Sequence, residues 1–206
     1  MKKKKKIIHF FLILPVLIVC LVIGSAVAYA AMMVSDEKAN LFQIGNLQTK
    51  VEEVFTEPAT ILPDTSVEKK VTVANIGTVD QFVRVMLHPE IRIENGESIR
   101  LLPSKIGEEV LLDLNSTDWK LGEDGYYYYL KKLKSGKSSV TENLFTQVKL
   151  KSGLGQEYHK ATFSLLIKVE AINCVKYAYR DAWWQGVIPN NGELQEVDKQ
   201  LSEKAD

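Results

Sequence analysis

The sequence predicts an all-β fold, an antiparallel β-sandwich of Ig-like or jelly-roll type. Three observations predict it. Valine, isoleucine, threonine, phenylalanine and tyrosine recur in short runs of period two, most cleanly from Phe163 to Ala171. Turn signals such as Pro63-Asp64, Asn95-Gly96 and Gly153-Leu154-Gly155 separate the runs. Almost no long amphipathic helical pattern occurs, which leaves sheet-on-sheet packing as the way to bury the apolar faces.

The chain opens with Lys2 to Lys6 and an apolar stretch from Ile7 to about Ala31 that ends in small residues. That order reads as a secretory signal over residues 1–30, with cleavage expected around Ala28, Ala30 and Ala31. The stretch is also long enough to span a bilayer, so an uncleaved anchor is the competing reading. In both readings the lysines stay in the cytoplasm and the rest is translocated. Cys20 invites a lipoprotein reading, which the bulky Val19 before it opposes. The whole sequence carries 26 basic and 26 acidic residues; losing residues 1–30 removes five lysines and no acid, so the remaining 176 residues carry a net −5. That balance opposes nucleic acid or an anionic membrane surface as partner. The length suits one domain over 31–189 and a polar acidic tail over 190–206, disordered or a frayed helix. Beyond the signal Cys174 is the lone cysteine, so no intramolecular disulfide supports the fold. It is either a buried small apolar residue or a thiol for an intermolecular bond.

The elements follow in order. Leu47, Thr49, Val51 and Glu53 share one side of an extended chain, so a strand with one apolar face is expected there. Val67, Val71 and Val73 predict the next strand. Asn75-Ile76-Gly77 breaks the run before Val83, Val85 and Leu87, giving a hairpin or a crossing to a second sheet. Pro89 is expected to limit that second strand unless its end is an edge. Residues 106–114 are compatible with a short helix or a strand. Trp119 leads to a turn cluster at Gly122, Asp124 and Gly125. Four tyrosines follow, with Tyr126 and Tyr128 on one face and Tyr127 and Tyr129 on the other. The bland reading is one strand with an aromatic outer face; the sharper one is a sugar- or peptide-binding platform. Lys131, Lys132 and Lys134 flank the run as charged gatekeepers. Val148 and Leu150 belong to a short strand, and Phe163 to Ala171 is expected to be a central one.

Chemistry-bearing patterns are sparse. His88 and His159 lack the paired-ligand spacing of a zinc protease. The sequence has no Gly-rich phosphate loop and no G-x-S-x-G. Cys174 follows an apolar run, where a thiol is inert. No catalytic residue, metal or cofactor is expected. Asn115-Ser116-Thr117 is a glycosylation sequon.

Four stretches together resemble the TasA/camelysin family of exported Gram-positive proteins. Phe42, Gly45 and Asn46 match an N-terminal "F-x-x-G-N" strand. Pro63, Asp64, Lys70, Val73, Asn75, Gly77, Thr78, Val83, Arg84 and Val85 match a second segment. Asp124, Gly125, Tyr126, Tyr127, Tyr128, Tyr129, Leu133 and Gly136 match a third, and Glu170, Ala171, Ala182 and Trp183 a fourth. Ser135, Asp64, Met32-Met33 and Asn173-Cys174 depart from the pattern. The resemblance implies a sandwich fold, release by a dedicated signal peptidase, and assembly into cell-surface or biofilm-matrix fibres. Some members carry a metallopeptidase label, which the residues here do not support. The leading expectation is a secreted structural protein that self-associates head to tail by strand addition. Leu41, Phe42 and Ile44 are the anchors of a donated segment, or else the first strand of their own domain. The alternative is a membrane-anchored monomeric adhesin or accessory module whose contact is the tyrosine face.

Overall fold

Alternation of apolar and polar side chains gives each strand a face to bury, and two antiparallel layers bury those faces against each other. The computed structural model describes residues 47–54, 62–95, 98–136 and 139–206. In the first layer β1 (Thr49–Val54) pairs with β3 (Lys70–Asn75), setting Val51 opposite Val73. β2 (Ser66–Glu68) runs into β3 and pairs with β9 (Gln147–Leu150), whose other side carries β6 (Val110–Leu112). Bonds from Val71 N to Phe145 O (3.3 Å) and from Thr141 N to Val73 O (2.9 Å) continue that ladder along β3.

The chain then crosses to the second layer, whose centre is β4 (Gln81–Asn95). β10 (Thr162–Asn173) pairs with it along its whole length. On the opposite side β8 (Tyr127–Tyr129) pairs at Arg84 and Val85, and β5 (Ser98–Leu102) pairs from Ile91 to Asn95. β7 (Trp119–Leu121) pairs with β8. Val71, Val73, Val110, Val148 and Leu150 of the first layer and Val83, Val85, Leu87, Ile91 and Tyr127 of the second form one buried core. This is the expected antiparallel β-sandwich.

Three expectations are corrected. Pro89 does not end its strand, because β4 continues to Asn95. Between Val85 and Ile91 neither β8 nor β5 pairs with β4, and Pro89 falls in that gap. A residue in a strand points its N and its C=O the same way. The Pro89 carbonyl accepts the Ser104 hydroxyl (2.9 Å) on the gap side, so the missing N–H costs no ladder bond. The run Phe163–Ala171 is a strand, but β4 is the central one; β10 pairs with β4 alone among the described residues. Its clean alternation reflects a strand covered on one face, not a central position.

The third correction concerns residues 190–206. They form helix α2 (Gly192–Ser202), which follows helix α1 (Ala178–Trp184), and both cover the outer face of the second layer. Val197 and Leu201 of α2 are fully buried with Phe82, Tyr128 and Tyr179 in a second core. Leu194, Val197 and Leu201 stand three and four residues apart, an apolar stripe on an otherwise charged helix. The Glu123 carboxylate accepts the N–H groups of Glu193 and Leu194 and so caps the helix. That carboxylate occupies the space of a Cβ at Gly192, whose φ of +70° also demands glycine. Arg180 of α1 donates to both carboxylate oxygens of Asp198 (2.7 and 2.8 Å) and ties the helices together. All the described residues belong to one unit, Gly45–Asp206.

Leu201→Ala should therefore destabilise the protein by about 2–4 kcal/mol, whereas Leu166→Ala, on an exposed side chain, should change it by less than about 0.5 kcal/mol. Urea unfolding of both variants checks this; equal effects would return residues 190–206 to the status of a tail.

Candidate functional site

The residues that carry chemistry meet where the second layer touches the helices. β4 presents Arg84 outward, β8 and the turn before it present Tyr126 and Tyr128, and β10 presents Glu170 beside Arg84 in register. The turn supplies Asp124 and needs Gly125, whose φ is +82°. Asp124 also accepts the N–H of Tyr126 (3.3 Å), so Asp-Gly-Tyr is a single local device.

Arg84 is the centre. Its Nε and Nη2 donate to Glu170 Oε2 (2.9 and 2.6 Å). Its Nη1 donates to the Tyr128 hydroxyl (2.9 Å) and to Asp124 Oδ2 (3.2 Å). The guanidinium carbon lies 3.8 Å from the Tyr126 ring centre and 5.0 Å from that of Trp183, so the cation is sandwiched between two aromatic faces. Tyr126 donates to Glu170 Oε1 (2.7 Å) and accepts Lys168 Nζ (2.9 Å). Tyr128 donates to Asp124 Oδ2 (2.5 Å) and accepts Trp184 Nε1 (3.0 Å) as well as Arg84. Two cations face two carboxylates, and both hydroxyls are donor and acceptor at once. A charge that leaves water needs such pairing.

The protonation states follow. Burial alone would raise the Glu170 carboxyl, but hydrogen bonds from Lys168, Tyr126 and Arg84 outweigh it and hold it down at about 2. Burial, reinforced by the bond to Asp124, pushes the Tyr128 phenol well above its ordinary range. These groups are thus fixed far from neutrality, whereas a general acid or base works best near the operating pH.

A second hub lies at the crossing between the layers. Asn75 Nδ2 donates to the carbonyls of Val79 (2.8 Å), Leu133 (3.1 Å) and Lys134 (3.0 Å). Its Oδ1 accepts Gly77 N and Gln81 Nε2, both at 2.9 Å. One buried amide thereby fixes the 76–80 turn and the loop after the tyrosines. The motif residues Asn75 and Gly77 gather here, and Arg84, Asp124, Gly125, Tyr126, Tyr128 and Glu170 gather at the first network.

The tyrosine run is a strand, but its outer face is not exposed: all four side chains are buried. Tyr127 and Tyr129 face the sandwich core, and Tyr126 and Tyr128 face the helices. A surface platform for sugar or peptide, and a partner contact through that face, are thereby ruled out. Sequence reasoning missed Trp184, Lys168, Tyr179 and Asp198; the first two lay within two residues of motif residues, Asp198 sat in the segment read as a polar tail, and Tyr179 in a stretch assigned to no element. His88 lies on β4 and His159 in the 3-10 turn Gln156–Lys160; no group of three or more His, Cys, Asp or Glu side chains converges among the described residues. The Asn115 amide nitrogen is engaged by Asp118 Oδ2 (2.9 Å) and Asn143 O (3.2 Å), so the sequon's acceptor atom is in use. Cys174 is buried in the second core, where burial pushes its thiol up to about 12. The flanking lysines are paired, Lys131 with Asp118 and Glu142, Lys132 with Asp206, Lys134 with Asp80. Ala28, Ala30, Ala31, Leu41, Phe42 and Ile44 lie outside the described residues.

Comparison of the chain with family models, with curated proteins and with solved structures gives no match.

Two predictions follow from the network. Arg84→Met leaves two carboxylates without their cation and should cost about 3–5 kcal/mol. Because Glu170 titrates lower folded than unfolded, its contribution is complete above about pH 4.5 and fades as the pH falls toward about 2. Glu170→Gln should flatten that acid limb, as read by urea unfolding at pH 7, 4 and 2.5; an unchanged limb would contradict the assignment. Separately, Cys174 should resist iodoacetamide at pH 8 in the native protein and react in urea, which mass spectrometry resolves.

Proposed function

We propose that this chain is the subunit of an exported, non-enzymatic β-sandwich scaffold that joins head to tail at the cell surface or in an extracellular matrix, as the TasA/camelysin proteins it resembles would do. The observation that carries the reading is a seam on one side of the sandwich. β1 and β10 are the end strands of their layers among the described residues and lie beside each other. The core-facing side chains of β10, Phe163, Leu165, Ile167 and Val169, are only half-buried, whereas Val85, Leu87 and Ile91 opposite three of them on β4 are buried. A twelve-residue strand with a free edge and an incompletely covered apolar face is a template for strand addition.

The apolar segment with Leu41, Phe42 and Ile44 precedes β1 in the sequence, and β1 lies at this seam. Bound to its own β10 the segment gives a monomer; bound to a neighbour's it gives a chain of subunits. The network around Arg84 supports the non-enzymatic part, because its groups are paired with one another and held away from neutral pKa values.

Electron microscopy of residues 31–206, with and without residues 31–46, tests the reading. Filaments that vanish on truncation are expected. Monodisperse monomers in both samples would overturn self-assembly and favour an anchored accessory module.

A further inference from the structure

The helices cover only half of the second layer's outer face. On the other half Leu166 of β10 and Ile99 and Leu101 of β5 are 68%, 63% and 62% exposed. Between them on β4 stand Glu90, Arg92 and Glu94, with Arg92 in register with Leu101 and Glu94 with Ile99. Arg92 Nε is enclosed by protein and pairs only loosely with Glu90 Oε1 at 3.6 Å, while the Arg92 side chain as a whole is about one-third exposed. A partly exposed, loosely paired guanidinium among bare aliphatic side chains suits an anionic group flanked by apolar surface.

The first layer offers that combination at the other end of the molecule. A groove of about 660 Å³ is lined by Glu52, Ala74, Ile76, Gly77 and Val140. Val51 and Val73 face the core, so Lys50 and Glu52, each one residue away from Val51 on β1, lie on the outer face. Ile76 and Val140 are exposed, and so is Glu52 beside them in the groove. Lys50 and Glu52 on one face and Glu94 and Arg92 on the other have the alternation needed to pair charge with charge. The groove sits beside the Asn75–Gln81 crossing, at the start of β4, and the patch lies toward its end.

From this complementarity we infer that the bare half of the second layer docks onto the first-layer groove of a second copy of this chain, with Arg92 on Glu52 and the aliphatic side chains of Leu101 and Ile99 against Ile76 and Val140. The two surfaces lie on opposite faces and toward opposite ends, so the contact is heterologous and repeats along a line instead of closing a pair. Three strands over seven residues present on the order of 300 Å², well below the roughly 800 Å² per partner of a stable interface. The contact is therefore an auxiliary one that adds to strand addition between the same two subunits. The inference rests on the self-assembly reading.

The test is charge exchange, read by sedimentation velocity and electron microscopy of residues 31–206. Glu52→Arg and Arg92→Glu should each raise the concentration for half-assembly at least tenfold, and the double variant should recover most of that loss. Val140→Glu, remote from any ion pair, should raise it as well. Single variants that assemble like the unaltered chain, or a double variant that stays as impaired as the singles, would overturn the contact while leaving self-assembly standing. An unaltered chain that remains monomeric at every concentration would overturn both.

Discussion

The fold depends on one buried cation. Arg84 sits on the central strand with its side chain only 8% exposed, where an unpaired charge would be costly. Every neighbour that satisfies it comes from a different part of the chain: Asp124 from a turn, Tyr128 from β8, Glu170 from β10, and Trp183 from a helix. The desolvation of one guanidinium thus fixes the relative placement of three strands and the helical layer. Its aromatic neighbours reach further, since Tyr128 meets Trp183 and Trp184, and Tyr179 meets Trp184 and Phe82, with ring centres 5.5–5.9 Å apart. The polar network specifies where the helices dock, and the apolar contacts around it supply the adhesion.

The strands were legible because alternation is a local property. Val71 and Val73, Val83 and Val85, and Phe163 to Ala171 each announce a face. What alternation does not encode is which layer covers that face. The tyrosines show this: period two divides Tyr126 and Tyr128 from Tyr127 and Tyr129, but only the distant residues 178–201 reveal that both sides are covered. Helix α2 was misjudged because its charged residues outnumber its three apolar ones; a search at period 3.6 finds Leu194, Val197 and Leu201 even so. The gap that accommodates Pro89 depends on where two other strands stop pairing and leaves no mark in the sequence near Pro89. Of the polar network, Arg84 and Glu170 stood out through the resemblance alone and Asp124 also as a turn residue, because nothing local to any of them states that they touch.

Edge strands carry a risk of uncontrolled pairing, and the two ends of the second layer treat it differently. β7 is three residues long, and its central residue Lys120 pairs with Glu193 of the helical layer. β10 is four times as long. Among the described residues one edge is thus short and tied down while the other is long and unpaired, the asymmetry that the proposed one-sided addition would use.

The second core is closed by Val197 and Leu201, which follow Tyr128 in the chain by some seventy residues. Synthesis proceeds from the N-terminus. The strands that carry Phe82, Arg84 and Tyr128 are all made before the helices that shelter them, so for an interval a strip of rings and one charge face solvent on a half-finished sheet. A chain emerging in order would be unable to complete this part of its packing until residues 192–202 had appeared. The order of residues thereby builds a delay into folding: the surface that glues the strands to the helices is hidden only after the strands themselves are complete.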